Sequence, residues 1–413
     1  MNTLKFGNGE WYGKKDTILA YNDENSNFKP LPFSFDRASS ATVINKEGLI
    51  ETVGSGEPRI DYKDDSKGAL LLEPTRLQLI QYSEAFDNGY WTKIGTSVVS
   101  GFASPSADSP LNAFKLVEGT GTGLHYFTPP QLATTNGNNT YSFFIKPNGR
   151  NWLLIQNNNT GNGYFIDLAN KSIGTTTGSP ISYNIDDNYT DGWLKISFTD
   201  NVTTGLITPI LYLCSANGST SYTGDGTSGV YVWGAQFEQG SYATSYIPSS
   251  GGVVTRIAES CSQTVPSGVI GQTEGVIYWE GIINGFDVNF SNIVTGEKNT
   301  TTSFAVLHKG SSSQFQCSVF DGSEKGKCIG GSVSVGETCK IAYAYKSGNF
   351  ALYVNGVSVA TSTDTWTPPS TIDDIFIGDT TSYFGNQESN SHKQIKLYNT
   401  RLSNAELQVL TTI

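Results

Sequence analysis

Along most of this chain, hydrophobic positions alternate with polar ones in short runs that clusters of Gly, Asn and Thr break apart. A period of two residues is the signature of a β-strand, whose successive side chains point to opposite faces. Between Leu77 and Ser250 the runs are TYSFFIKP, NWLLIQN, GYFIDLA, WLKISFTD, ITPILYLC and GVYVWGAQFE. In the last of these the pattern puts Val230, Val232, Gly234 and Gln236 on one face and Tyr231, Trp233, Ala235 and Phe237 on the other. A looser stretch, SSGGVVTRIAESCSQTVPSG, marks a boundary before a second series: GVIYWEGII, TSFAVLHKG, FQCSVFDG, CKIAYAYKSG, NFALYVNG, VSVATS, DIFIGD and KQIKLYNTRL. Within NFALYVNGVSVATS, Asn355-Gly356 predicts a two-residue type I′ hairpin, because both central positions of that turn need positive φ. Ser403-Asn404-Ala405-Glu406 predicts a capping box that opens one short helix, NAELQVL.

Residues 1–75 read differently. Lys, Asp and Glu are denser there, and NFKPLPFSFDRASSATVINKEGLIETV carries only short β patches between turns. Val43, Asn45 and Leu49, Glu51 flank Lys46-Glu47-Gly48, which predicts one hairpin. No core of its own is evident, so the segment is expected to depend on neighbouring chains or domains for burial. The predicted fold is all-β: an N-terminal extended anchor over 1–75, then two antiparallel jelly-roll β-sandwiches over 76–252 and 253–413. A truncation beginning near Leu77 is accordingly expected to stay folded.

Composition agrees with this pattern and removes several functions. Forty-five Gly, one Met, 15% charged residues and abundant Thr, Ser, Asn and Tyr suit strands and turns, and the 37% hydrophobic content can fill a core in each sandwich. A formal net charge of −11 argues against nucleic acid and against an anionic bilayer, since both are held by clustered Lys and Arg. The opening MNTLKFGNGEWYGKK has no apolar signal-peptide region, and no stretch approaches the ~20 apolar residues that cross a membrane. The expectation is a soluble chain that starts out in the compartment where it is made. Cys214, Cys261, Cys317, Cys328 and Cys339 are odd in number and thinly spread, which predicts free buried thiols; the equal gaps among the last three could put them on neighbouring strands, without the paired spacing of a zinc site.

Catalytic patterns are missing. His125, His308 and His392 lie far apart, with no HExxH and no GxSxG. Asp64-Asp65, Asp186-Asp187 and Asp373-Asp374 are adjacent pairs, which on a strand face opposite ways and are poorly set up to flank one glycosidic bond, leaving a carboxylate pair assembled in space as the alternative. Gly119–Gly123 and Gly224–Gly229 resemble phosphate loops only superficially, since no helix or GK[ST] follows. Asp287, Asp321 and Asp379 near strand ends could serve calcium, although solvated turn aspartates explain them as well and no EF-hand spacing occurs. The 12% aromatic content points instead toward sugars, whose C–H faces stack on rings while amides read the hydroxyls. Trp152, Tyr164, Trp366 and Tyr383 neighbour Asn, Thr or Gly and are the candidate glycan contacts; core or interface packing is the alternative for each.

Two stretches carry a family resemblance. The text from Phe33 to Val99 contains Arg37, Ser39, Ala41-Thr42, Asn45, Gly48, Pro58-Arg59, Asp61-Tyr62, Gly68, Leu72-Glu73-Pro74, Tyr82-Ser83-Glu84 and Trp91. It resembles the opening of bacteriophage tail-fibre, head-fibre and spike-type virion surface proteins, in which it leads to a jelly roll ending in a phrase like WGAQFEQGSYATSYIPSSG, here Trp233 to Gly251. Gln78 and Gln81 depart from the usual text, a change that reads as minor. The second stretch, KIAYAYKSGNFALYVNGVSVATS through HKQIKLYNTRLSNAELQVL, is similar to the end of concanavalin A-like, laminin-G-like domains. The resemblance implies a virion protein, made in the bacterial host cytoplasm and mounted on capsid or tail through its N-terminal segment. It also implies a homotrimer that binds host-surface polysaccharide without cleaving it. A purely structural capsid decoration or adaptor is the alternative, and a polysaccharide depolymerase a further one.

Overall fold

A computed structural model describes residues 3–9, 11–24, 27–203, 205–265, 268–285, 287, 291–299, 302–309, 313–367, 372–378 and 387–413. Strands dominate and the fold is all-β. The chain forms two compact units, one from Met1–Val43, Val53–Pro74 and Ile257–Ile413, the other from Ile44–Thr52 and Thr75–Arg256.

The second of these units is a sandwich of two six-stranded antiparallel sheets. One sheet runs in the order Thr92–Ile94, Tyr126–Thr128, Pro209–Cys214, Trp152–Asn157, Gly163–Asp167, Ser172–Thr177. The other runs Thr96–Phe102, Ala113–Glu118, Gly229–Gln239, Gly137–Asn148, Leu194–Val202, Ser182–Asp186. Between them lies a core that includes Phe86, Trp91, Leu116, Phe127, Phe143, Ile155, Phe198, Leu211 and Val232. The simple alternation expected of GVYVWGAQFE does not hold: Val230 and Val232 face this core, but so do Ala235 and Phe237. The reason is a bulge. Gly234 takes φ +59, the facing strand shifts register between Ser142 and Phe144, and parity reverses from that point. Trp233, which precedes the bulge, keeps the parity opposite to Val232 and lies on the outer side in one cluster with Ile44 and Ile50 of the predicted hairpin. That hairpin forms as expected, with Asn45 N donating to Leu49 O at 2.9 Å and Gly48 at φ +76.

The phrase residues of this unit are its lock. Gln78 is fully buried; its Nε2 donates to Ala235 O and Ile247 O at 3.0 and 3.2 Å, while its Oε1 accepts from Ile80 N and Phe237 N at 3.0 and 2.9 Å. A change that read as minor is therefore a four-bond staple between strand ends. Glu84 accepts from Tyr246 Oη at 2.8 Å and from Asn112 Nδ2, and Glu238 accepts from Thr244 N and Oγ1 at 2.8 and 2.6 Å.

The first unit corrects the expectation for residues 1–75, which are not a separate extended anchor. Thr3–Gly7 pairs with Ser389–Tyr398 from Thr3 opposite Tyr398 to Gly7 opposite Gln394, and Ala69–Leu72 continues along the same strand. Asn27–Asp36 pairs with both Thr17–Glu24 and Ser260–Thr264. Leu4, Phe6, Ile18, Ala20, Phe33, Phe35, Leu70 and Leu72 share one core with Trp279, Phe315, Tyr343, Leu352, Trp366 and Ile395. The segment does depend on a neighbour for burial, and that neighbour is the C-terminal part of its own chain. The strand Glu274–Gly285 sits at the centre, between Thr338–Lys346 and Ser389–Tyr398. Asn355 and Gly356 take φ +49 and +80 and join Phe350–Val354 to Val357–Ser362, as predicted. The helix Asn404–Thr411 has its capping box, Ser403 N donating to Glu406 Oε2 at 2.7 Å, and lays Leu407 on the outer side of the sheet by Ala342, Ala344 and Tyr353.

Candidate functional site

On three strands of the second unit, both parities are apolar. Leu153, Ile155, Ile166, Leu211 and Leu213 face the core, as a half-buried sheet requires. Leu154, Phe165, Ile210, Tyr212 and Cys214 point the other way and form a second cluster on the outer face, with Tyr126 and Trp152 at its margins. Register aligns them. Tyr126, Tyr212, Leu154 and Phe165 stand opposite one another across four strands, and Cys214, Trp152 and Asp167 form the adjacent row. The Tyr126 and Tyr212 rings are 5.0 Å apart at 51°. Leu154, Phe165 and Tyr212 keep only 3%, 4% and 8% exposure, so the middle of the face is covered, whereas Trp152 and Tyr126 at its margins are half-buried and keep surface that a ligand can reach.

The indole of Trp152 extends two strands across the sheet. A Cβ placed on Gly174 would lie 2.7 Å from its Cζ3 and would also strike Asn217 Oδ1, so this crossing needs a residue without a side chain. Asn217, on an exposed turn, accepts from Thr175 N at 2.9 Å and fixes the turn beside the ring. Gln156 Nε2 donates to Gly161 O at 3.0 Å, and the 157–162 loop is held by buried Asp200, which accepts from Asn157 Nδ2, Thr160 Oγ1 and Asn162 Nδ2 at 2.8, 2.7 and 2.7 Å. Burial raises the Tyr212 phenol above its ordinary pKa and pushes the Cys214 thiol up to about 12, so both stay protonated at neutral pH. The face can stack and make neutral hydrogen bonds; it holds no activated nucleophile.

The four sequence candidates fare differently. Trp152 lies in this face. Tyr164 is one residue from Phe165 and therefore on the opposite side, in the core, with its ring 5.6 Å from Phe198. Trp366 is 2% exposed and packs edge-on to Tyr345 and Phe350, which leaves no free surface to stack a sugar. Tyr383 lies outside the described residues. Sequence reasoning missed Tyr126, Phe165 and Tyr212, although the signal was present in ITPILYLC and NWLLIQN: strands apolar at both parities need something apolar on each face.

Residues 283–408 match the family model of the concanavalin A-like lectin/glucanases superfamily. That span lies in the first unit and runs from the last three residues of the Glu274–Gly285 strand into the terminal helix. No curated protein matches the chain. Among solved structures, the CBM40 of the Ruminococcus gnavus IT-sialidase bound to alpha2,3 sialyllactose is 16% identical, with 35% of this chain and 84% of that one covered and a TM-score of 0.30. Domain 4 of AbnA, an extracellular arabinanase of Geobacillus stearothermophilus in complex with arabinotriose, is 12% identical over 41% and 82%, at 0.32. The NanB sialidase of Streptococcus pneumoniae is 15% identical over 37% and 26%, at 0.31. At that distance nothing about a ligand passes to this chain.

Of the calcium candidates in the first unit, Asp321 holds a turn. Asp321 accepts from Ser323 Oγ at 3.2 Å and from Thr367 N at 3.3 Å, Asp287 is exposed, and Asp379 lies outside the described residues. Among the described residues no group of three or more His, Cys, Asp or Glu side chains could hold a metal ion. All five cysteines are free and buried, with Cys317 directly opposite Cys328 and Cys339 on another strand.

Proposed function

We propose that this chain is a glycan-binding protein of a bacteriophage virion surface, a fibre or spike that holds host-surface polysaccharide without cleaving it. The observation that carries the reading is the pair of half-buried rings, Trp152 and Tyr126, at the margins of an apolar outer sheet face and bordered by the amides of Gln156 and Asn217. The match of residues 283–408, in the other unit, to the lectin/glucanases superfamily model supports a glycan partner for the chain. The virion assignment rests on the resemblance of the Phe33–Val99 and Trp233–Gly251 texts. On this reading the chain is made in the host cytoplasm, is a homotrimer, meets other virion proteins through the unit that contains its N-terminal strands, and needs no catalytic residue or metal. A single face of this kind is weak, near millimolar, and becomes useful when many copies engage together.

The test is to incubate purified protein with host-surface polysaccharide. Retention that is lost in Trp152→Ala, unchanged by a chelator and accompanied by no new reducing ends is expected. Release of oligosaccharide would overturn the non-enzymatic reading. A second reading, a structural decoration that binds only virion proteins, is favoured by one fact: Arg37, Arg59, Glu73 and Ser83, all within the resembling text, are buried in bonds that hold the fold. Absence of binding by the oligomer to any glycan would favour that reading.

A further inference from the structure

We infer that Cys317 and Cys328 are a modification site: a pair of buried thiols that an oxidising small-molecule disulfide joins into a cross-strand bridge within the first unit. The bridge does not depend on glycan binding. Register carries the first step. Gln314–Phe320 and Glu324–Ser332 are antiparallel neighbours, and Cys317 stands directly opposite Cys328. Directly opposite residues in such a pair have Cα atoms about 4.5–5.5 Å apart, within the roughly 4.4–6.8 Å that a disulfide spans. Burial shows which face they share. Gly326, Cys328 and Gly330 are buried while Lys327 and Ile329 between them are exposed, and Phe315, Cys317 and Val319 lie in the same core as Cys328. Both thiols therefore enter that core from adjoining positions.

The surroundings carry the second step. On the inner face, the residues that flank Cys328 along its strand are glycines whose space is taken by other side chains: a Cβ on Gly326 would lie 2.3 Å from Phe350 Cδ1, and one on Gly330 3.0 Å from Val359 Cβ. Neither thiol has a hydrogen-bond partner among the described residues, whereas Cys339 Sγ donates to Gly281 O at 3.7 Å and Cys214 Sγ to Tyr212 O at 3.9 Å. No other cysteine faces a cysteine. Cys214 stands opposite Trp152, Cys261 opposite Phe35 and Ile377, and Cys339 opposite Gly281. The chemistry balances with one oxidant of the glutathione disulfide class. One cysteine thiolate attacks it, forms a mixed disulfide and displaces a thiolate; the second attacks the protein sulfur of that mixed disulfide and displaces the other. Two electrons pass from the cysteines to the oxidant, and the two protons go to the released thiolates. Burial raises the Cys317 thiol well above its ordinary pKa and pushes Cys328 up to about 11, so Cys328 attacks first and the folded protein oxidises slowly. In reducing surroundings the pair stays as thiols, and the bridge belongs to oxidising ones.

The experiment holds the folded full chain with oxidised glutathione at pH 8.5, and in parallel refolds it from denaturant in the same buffer, where access to the thiols is not limiting. Thiols are then counted in denaturant and linked peptides mapped by mass. The five free thiols should fall to three, with residues 317 and 328 linked and the mass lower by two hydrogens. In the folded chain the reaction should run about tenfold more slowly at pH 7.5, because the thiolate fraction falls with each pH unit below the thiol pKa. Closing the hairpin should raise the thermal transition of residues 257–413 by about 5 °C, and dithiothreitol should reverse the rise. Cys328→Ser should form no internal bridge and show no rise, while Cys261→Ser should still form the bridge. Five thiols after refolding in the oxidising buffer, or a bridge that joins any other pair, would overturn the inference.

Discussion

The position of the Trp152 indole depends on a glycine rather than on another aromatic. Gly174 has no unusual backbone requirement, so its smallness matters only because the ring passes over it. Gly174→Ala is therefore expected to cost about 1–3 kcal/mol of stability through overpacking and, by lifting the indole, to weaken glycan retention several-fold; calorimetry and retention on polysaccharide measure the two. An unchanged affinity would mean that the ring is not the contact surface. A second residue sets a pH limit. His392 is fully buried, its Nδ1 accepts from Trp279 Nε1 at 2.9 Å, and burial pushes its pKa from 6.5 down to about 3. The folded state thus keeps it neutral while the unfolded chain takes up a proton below pH 6.5. Its contribution is complete above pH 6.5 and is lost as pH falls toward 3, with a limiting slope of about 1.4 kcal/mol per pH unit for one proton. The difference in unfolding free energy between the native protein and His392→Gln, followed from pH 7 to 4, should carry that slope; a parallel pair of curves would contradict it.

At the scale of elements, local chemistry was legible wherever a short segment decides its own conformation. Asn355-Gly356, the Ser403–Glu406 box and the Asn45–Leu49 turn each satisfy their backbone groups within a few residues, and all three form as read. Parity was less legible, because a bulge at Gly234 depends on the facing strand and reverses every side chain beyond it. The site was half legible for the same reason: Trp152 and Tyr164 look alike in sequence, and only their register shows that one faces out and the other in. Gln78 shows a third limit, since a buried amide that bridges Ala235, Phe237 and Ile247 has no periodic signature. Gln78→Leu should fill the space yet strand those backbone groups, at a cost of about 3 kcal/mol. Chemical denaturation would measure it, and a loss below about 1 kcal/mol would mean that water replaces the amide.

For the whole molecule, what matters is how distant parts of the chain are tied into one unit. Arg37 and Arg59 are both fully buried and both reach Glu259, at 3.2 and 2.7 Å, while Arg59 also holds Glu73 at 2.8 Å. Glu73 N donates to Glu259 Oε2 at 2.8 Å, and Ser389 Oγ donates to Glu73 at 3.2 Å. Residues 37–73 are thus joined to residues 259 and 389 by charges that have no water to fall back on. A truncation from Leu77 should therefore leave residues 257–413 unfolded and open to protease, contrary to the independence expected from sequence, because eight core side chains leave with it. The point variant isolates the cluster. Glu259→Gln keeps the shape but removes the carboxylate charge that both buried guanidinium groups reach, and breaking a buried pair from one side costs about 3–5 kcal/mol. Because every member lies in the same compact unit, that loss should move only the transition that unfolds it. Thermal unfolding followed by limited proteolysis at sites in residues 257–413 and 75–256 should show the first set cleaved at lower temperature and the second unchanged. Equal shifts in both sets would mean that the two units unfold as one, and no shift in either would mean that the cluster is not what joins the opening strands to the C-terminal sheet.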